Sequence, residues 1–306
     1  MGKLLDHKGA AYLAAVLCTL LWGTAFPFIK LGYEALEIDT VGARLLFAGA
    51  RFFIAGFMVF AVGSAMRRKA LFLQKGSLLP VVLLGLVQTA AQYIFTYIGI
   101  GLTSSANTSI ITACASFFTV IGAAIFFKSD RLNIQKLLGC SVGFAGVLIV
   151  NTKGGFSPQT LLGDALILCS TVSAAAGNLI AKKQMPGRDP VTVTAWQLML
   201  GGAVLTFAGI INGGRLSLNP RGIMILLWLA LVSAAAFTIW TALLKRYAAS
   251  KISIFNLLVP VFGTLLSGIM LGEDVFRTEV FISAAMISAG IALVNLQPKI
   301  NKGNLW

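Results

Sequence analysis

Arg51 lies about nine residues into the apolar run 42–63, roughly 13 Å along a helix at about 1.5 Å per residue. A guanidinium keeps its proton, and a charge at that depth costs at least about 2.5–3.5 kcal/mol on insertion scales, so something must compensate it. It either attracts an anionic or carboxylate-bearing solute, or pairs with helix carbonyls or a loop acid. Hydroxyls recur on one side of the run 104–127, as Ser105, Ser109, Thr112, Ser116 and Thr119. Ser253, Asn256, Pro260, Thr264 and Ser267 repeat the pattern in the run 250–271. Gln88, Gln92 and Thr96 share a face of the run 77–99, with Asn107 and Asn178 as further amides. Such groups offer weak, exchangeable hydrogen bonds to a small molecule. The alternative is close helix packing, with hydroxyls bonded to their own helix carbonyls. For Gln88, Gln92 and Asn256 a wet cavity is the better reading, because a lipid-facing amide is costly.

Trp22, Tyr93 and Trp240 could stack on an apolar solute, with Tyr97 and Trp196 beside them; Trp and Tyr near span ends also serve as interfacial anchors. Thr24 shares the segment Trp22–Lys30 with Pro27. Pro27 and Pro260 each remove one helical hydrogen bond, making them candidate hinges. Bond-making chemistry has few candidates. The single histidine, His7, is in the polar N-terminal tail, and Cys18, Cys114, Cys140 and Cys169 stand singly in apolar runs without metal-ligand spacing. No P-loop pattern occurs. The runs carry no Asp or Glu near their centres, so facilitated or exchange transport is expected rather than tight proton coupling. No cofactor, metal, catalytic residue or ATPase partner is expected.

These residues are positioned by lipid-embedded elements. The 306 residues are 58% hydrophobic and 11% charged, with a mean hydropathy of +0.89, against about 25% charged in a soluble domain. Ten apolar runs fall near 9–31, 42–63, 77–99, 104–127, 132–151, 162–183, 190–211, 221–244, 250–271 and 276–297. Each is long enough to cross about 30 Å of hydrocarbon as a helix. Turn signals separate them: Lys75–Gly76–Ser77, Pro186–Gly187, Asn212–Gly213–Gly214 and Asn219–Pro220. Although the net charge is +14, the cations lie at run ends and no base-stacking aromatics interleave them, so nucleic acid is not expected. With the N-terminus inside, 17 of the 24 Lys and Arg residues fall on the inner side. The other seven are Lys30, Arg44, Arg51, Lys153, Arg215, Arg221 and Arg277. This bias puts both termini in the cytoplasm of a multi-pass protein of the plasma (inner) membrane.

Self-similarity appears at an offset of 144 residues, Ser104–Asn151 lying over Ala248–Asn295 without a gap. Ser109 matches Ser253, Phe118 matches Phe262, Asp130 matches Asp274 and Gly146 matches Gly290. Each half holds five spans, an odd number, so the halves insert in opposite senses. The predicted fold is an all-α integral membrane protein of ten transmembrane helices in two inverted five-helix repeats. Residues 1–151 form the first, 152–161 a linker, 162–298 the second and 299–306 a cytoplasmic tail.

The chain resembles the drug/metabolite transporter superfamily in its ten-helix EamA-like branch. The resemblance rests on WGTAFPFIK (Trp22–Lys30), GCSVGFAGVLIV (Gly139–Val150), TAWQLMLGG (Thr194–Gly202) and VPVFGTLLSGIMLGED (Val259–Asp274). Ser116 departs from the family's proline, and Lys128–Ser129–Asp130 from its Gly-Glu. The resemblance implies an exporter of amino acids or similar small metabolites, with a small-molecule solute and the bilayer as partners. Monomer and homodimer both stay open. The competing class, a multi-span enzyme acting on lipids, needs clustered His, Asp or Glu near one face, and the sequence offers no such histidine or nucleophile.

Overall fold

The computed structural model describes residues 3–100, 102, 111–150, 161–271 and 278–295, and the described elements are helical. The chain order is α1 (Lys8–Ala35), α2 (Val41–Arg67), α3 (Leu78–Leu84), a π-helical turn (Gly85–Ala91), α4 (Gln92–Gly99), α5 (Ala115–Phe126), α6 (Ile134–Val150), α7 (Leu161–Gln184), α8 (Pro190–Ile211) and α9 (Pro220–Arg246). It continues through α10 (Ala249–Ser253), a 3-10 turn (Ile254–Leu257), α11 (Leu258–Leu271) and α12 (Thr278–Asn295). Among the described residues, α1, α2, the run Leu78–Gly99, α7, α8 and α9 are long and apolar enough to cross a membrane, and four shorter apolar helices accompany them. Their outer surfaces carry Leu13, Phe57, Phe207, Ile211 and Met224 exposed, a dress that suits hydrocarbon and not water. The chain is a multi-pass membrane protein.

Local chemistry sets the ends. Thr40 caps α2, its hydroxyl accepting from the Ala43 amide at 3.1 Å. Asp189 and Asn219 cap α8 and α9, each followed by a proline at the first helical position. Turn glycines Gly76, Gly187 and Gly213 adopt φ of +77°, +73° and +69°, a region most side chains avoid. The run predicted to be continuous over 250–271 is broken by the 3-10 turn at Ile254–Leu257. Pro260 has no N–H for the Asn256 carbonyl one turn earlier, so the ladder tightens just before it.

Packing follows a reciprocal pattern. Helix α2 lies on α8, α6 on α12 and α5 on α10; α1 meets α9 and α11, while α7 meets α4 and α5. Backbones touch where glycines recur. A Cβ at Gly49 would sit 2.3 Å from the Thr206 amide nitrogen, and one at Gly202 would sit 2.4 Å from that of Phe53. On the α6–α12 seam a Cβ at Gly146 would meet Ser283 and Ile287, and one at Gly290 would meet Gly139 and Gly143. Adding the offset of 144 turns Gly139, Gly143 and Gly146 into positions 283, 287 and 290, so these contacts correspond with the halves exchanged, Met286 beside Gly146 being the addition without a counterpart.

At one end of the bundle Asp130, outside the spans, ties α6 to α10. Its carboxylate accepts from Lys136 Nζ at 2.5 Å, from the Ser250 amide at 3.1 Å and from the Ser250 hydroxyl. Burial alone would raise its pKa, but the Lys136 ammonium and the Ser250 donors hold it below the ordinary carboxylate value.

Two outcomes follow. Gly49→Ala is expected to cost about 1–3 kcal/mol through overpacking, whereas Gly9→Ala, with nothing within 4 Å of the new methyl, should leave the unfolding midpoint in detergent unchanged or slightly higher. Asp130→Asn strands a buried ammonium and should cost about 3 kcal/mol at neutral pH. Because the folded-state pKa is depressed, that contribution is complete above about pH 4 and disappears as pH falls through the depressed value, so wild type and variant should converge in acid.

Candidate functional site

The polar and aromatic groups of α1, α2, the π-helical turn, α7 and α9 gather inside the bundle. A π turn fits one extra residue into the helix, displacing side chains from the regular 3.6-residue face, and such turns are frequent at functional sites. Gln88, in this turn, is buried and packs on Gly177 of α7, where a Cβ would meet its own Cβ at 2.5 Å. Its Nε2 donates to Asn178 Oδ1 at 3.2 Å, and Trp240 Nε1 donates to the same oxygen at 3.1 Å. One carbonyl thus joins three elements: the π turn, α7 and α9. Gln88 Oε1 is buried and meets no hydrogen-bond partner among the described residues; the same holds for Trp22 Nε1.

Aromatic rings continue from this amide cluster. Trp22 stands edge-on to Trp240, with centroids 5.0 Å apart, and to Phe237 at 5.6 Å. Phe237 meets Phe52 at 6.1 Å, Phe52 meets Tyr93 at 4.3 Å, and Tyr93 meets Tyr97 at 6.2 Å. At the far end lies Arg51, 2% exposed. Its Nε donates to Ser233 Oγ at 2.8 Å, and its guanidinium carbon lies 5.0 Å from the Phe52 ring centroid. Its charge acts on Tyr33, Tyr93 and Tyr97. Among the described residues no acid forms an ion pair with it. The loop acid considered from the sequence is therefore not its partner there; hydroxyl and ring faces are. Arg44, nearer the end of α2, rests over the Tyr33 ring at 5.7 Å.

The other sequence candidates are dispersed. Thr24 Oγ1 donates back to the Leu21 carbonyl at 2.6 Å, the packing role that short hydroxyl side chains often take inside helices. Gln92 is half-buried in the first turn of α4, one turn beyond Gln88. Thr112 is exposed, and Ser116 and Thr119 of the same stripe are buried and bonded to the Ser253 and Ala115 carbonyls. Asn107 and Ser109 lie outside the described residues, as does the seam 152–160. Asn256 sits in the 3-10 turn with its Oδ1 buried and without a partner among the described residues. Pro27 and Pro260 flank one crossing, where a Cβ on Gly23 of α1 would meet Phe262 of α11 at 2.6 Å. Trp196 donates from Nε1 to the Leu71 carbonyl at 2.7 Å and anchors the segment after α2.

Sequence reasoning missed Phe52, Ser233, Phe237 and Gln197. Gln197 is 0% exposed, and neither its Oε1 nor its Nε2 meets a hydrogen-bond partner among the described residues. It belongs to the stretch where α8 packs on the π turn, its carbonyl lying against Gly85 and Gly201 lying against Thr89. Like Gln88, it is an amide in an apolar run, where a side chain of that kind must face something polar.

With this interior in view, comparison with known proteins is informative. The model of the EamA-like transporter family matches residues 9–152 and 161–296. The chain belongs to this family. It is a family of transporters and not of enzymes. A Salmonella typhimurium protein named "Probable amino-acid metabolite efflux pump" is 28% identical over 295 residues, covering 90% of this chain and 92% of that one. The Bacillus subtilis "Uncharacterized transporter YoaV" is 26% identical over 285 residues, covering 91% and 94%. A solved structure described as "Crystal structure of protein" shares the fold, with a TM-score of 0.79 and 19% identity over 94% of this chain and 96% of the other.

The shared acceptor gives a direct test. Asn178→Leu removes the oxygen and strands two buried donors at about 1–3 kcal/mol each, so a clear fall in the unfolding midpoint is expected, with altered tryptophan fluorescence from Trp240. Asn178→Asp keeps the acceptor and should retain most of the fluorescence signature.

Proposed function

We propose that this transporter is a secondary carrier that exports amino acids or similar carboxylate-bearing metabolites by alternating access. The observation that carries the reading is Arg51, a buried guanidinium without a carboxylate partner among the described residues. A solute carboxylate could complete its coordination, and charge-assisted bonds of that kind are stronger than neutral ones. The ring series from Tyr97 to Trp240 would cover the apolar body of the solute, and Gln88 Oε1, without a partner among the described residues, would accept from an ammonium. The name of the Salmonella typhimurium relative supports amino-acid metabolites and export.

The reading includes ten transmembrane spans arranged as two inverted five-helix halves, 1–151 and 162–298, joined by the linker 152–161. The reciprocal packing of α2 on α8 and α6 on α12, with contacts that exchange under the 144-residue offset, supports it. Two similar halves around a midplane site can close on either side, which is the physical basis of alternating access. The Lys and Arg bias supports both termini, including the tail 299–306, in the cytoplasm of a plasma-membrane protein. Pro27 and Pro260, beside one helix crossing, are the proposed bending points.

Reconstituted vesicles loaded with a series of amino acids, and with the matching amino-acid amides, test the assignment. Arg51→Gln is expected to slow efflux of the carboxylates by roughly ten- to a hundred-fold, the equivalent of about 1.5–3 kcal/mol for a hydrogen bond to a charge. Amide efflux should change much less. Equal slowing of both series would remove Arg51 from solute recognition.

A further inference from the structure

A second charged feature lies away from this interior. The C-terminal end of α2, the segment 68–77 and the turn before α8 enclose a hollow of about 270 Å³. Its walls include three cations, Arg67, Lys69 and Arg188, and one acid, Asp189, leaving 3 − 1 = 2 positive charges. Asp189 is fully engaged. It takes Arg67 as a fork at 2.7 and 2.8 Å, and its Oδ2 also accepts from the Thr192 amide and hydroxyl, both at 2.8 Å.

The remaining charge is less committed. Arg188 donates from Nε to Ser77 Oγ at 3.0 Å and from Nη1 to the Gln184 carbonyl at 2.8 Å. Those bonds fix the plane of its guanidinium and leave Nη2 without a bond among the described residues. Lys69 is exposed and forms no ion pair among the described residues. Arg68 stands beside it with a left-handed φ of +51°, and Lys245 donates to the Arg188 carbonyl at 2.7 Å. The rim is apolar and outward: Phe72, which lines the hollow, is 73% exposed, and Met66 on the last turn of α2 is 82% exposed. A soluble anion would use the cations and leave this rim in water. A lipid would use both, phosphate in the hollow and acyl chains over Phe72 and Met66.

We propose that this hollow binds the headgroup phosphate of an anionic phospholipid. Basic hollows at the ends of membrane helices suit such headgroups, because phosphate matches guanidinium geometry and the surrounding surface potential concentrates the lipid. The site is independent of the carrier site: none of its lining residues belongs to the Arg51 or Gln88 cluster.

The test uses the whole protein in a neutral detergent, comparing added phosphatidylglycerol, phosphatidylcholine, glycerol 3-phosphate and inorganic phosphate. Phosphatidylglycerol is expected to raise the unfolding midpoint by about 3 °C or more, as a ligand selective for the folded state does, and the other three additions to leave it near its starting value. Native mass spectrometry should show bound phosphatidylglycerol lost at least about tenfold more readily from Lys69→Gln, with Lys69→Arg restoring retention. The Lys69 amide donates to the Ser64 carbonyl at 3.1 Å, a bond that a side-chain substitution keeps, and its ammonium forms no hydrogen bond or ion pair among the described residues, so this variant remains informative even if Arg188→Gln, which loses the Ser77 and Gln184 bonds, fails to fold. Arg221→Gln, exposed at the start of α9, removes an equal charge elsewhere and should retain the lipid as wild type does. Three results would overturn the proposal: an equal shift with inorganic phosphate, which makes the hollow a soluble-anion site; equal lipid retention in Lys69→Gln; or equal loss in Arg221→Gln, which reduces the effect to net charge.

Discussion

A guanidinium cannot be neutralised by giving up its proton, and the interior of a lipid-embedded bundle offers it little dielectric shelter. Around Arg51 the compensation comes from Ser233 on α9, the face of Phe52 and the nearby tyrosines. Much of the local architecture follows from that requirement. α9 must run beside α2 so that its hydroxyl reaches the charge, and the rings must stand close enough to exclude lipid. Phe52 serves both ends of the interior, stacking near Arg51 and touching Phe237, which in turn meets Trp22. The charge and the amide cluster are therefore joined by one continuous set of rings.

Six long spans among the described residues were legible in composition, because a membrane leaves the backbone only helices or closed barrels and the apolar runs are long. The turns were legible too: Gly76, Gly187 and Gly213, singled out as boundary signals, take the left-handed backbone a tight turn needs. Arg51, Gln88, Asn178 and Trp240 could be chosen because charge, amide and indole are conspicuous in apolar surroundings, and the structure brings the last three onto one oxygen. What could not be read is register. The π turn at Gly85–Ala91 adds one residue to a helix without any residue type that announces it. Ser233 lies 182 positions from Arg51, a pairing set by tertiary packing and invisible to local pattern. Spacing likewise gives a face but not what the face meets: on α5, Ser116 donates to the Ser253 carbonyl, 137 positions away.

The family assignment and the interior agree on a division of labour. Long helices α1, α2, α7, α8 and α9 carry the residues with unusual chemistry, while short α6 and α12 pair backbone to backbone through glycine. Departures from regular helix occur where the polar groups are: the π turn holds Gln88, and the 3-10 turn holds Asn256. An irregular backbone inside a membrane is tolerated when protein or a polar interior surrounds it, which describes both turns.

The glycine seam between α6 and α12 has a mechanical consequence. Interdigitated side chains act as gear teeth, so displacing one helix along another must ride over each tooth in succession. Where Gly139, Gly143, Gly146 and Gly290 meet, the teeth are filed away on the glycine side, and Val294, Met286 and Ile287 of α12 rest on the bare backbone of α6. Such a bearing holds its helices at a short, fixed separation through many weak dispersion contacts, yet presents a shallow barrier to lengthwise slip.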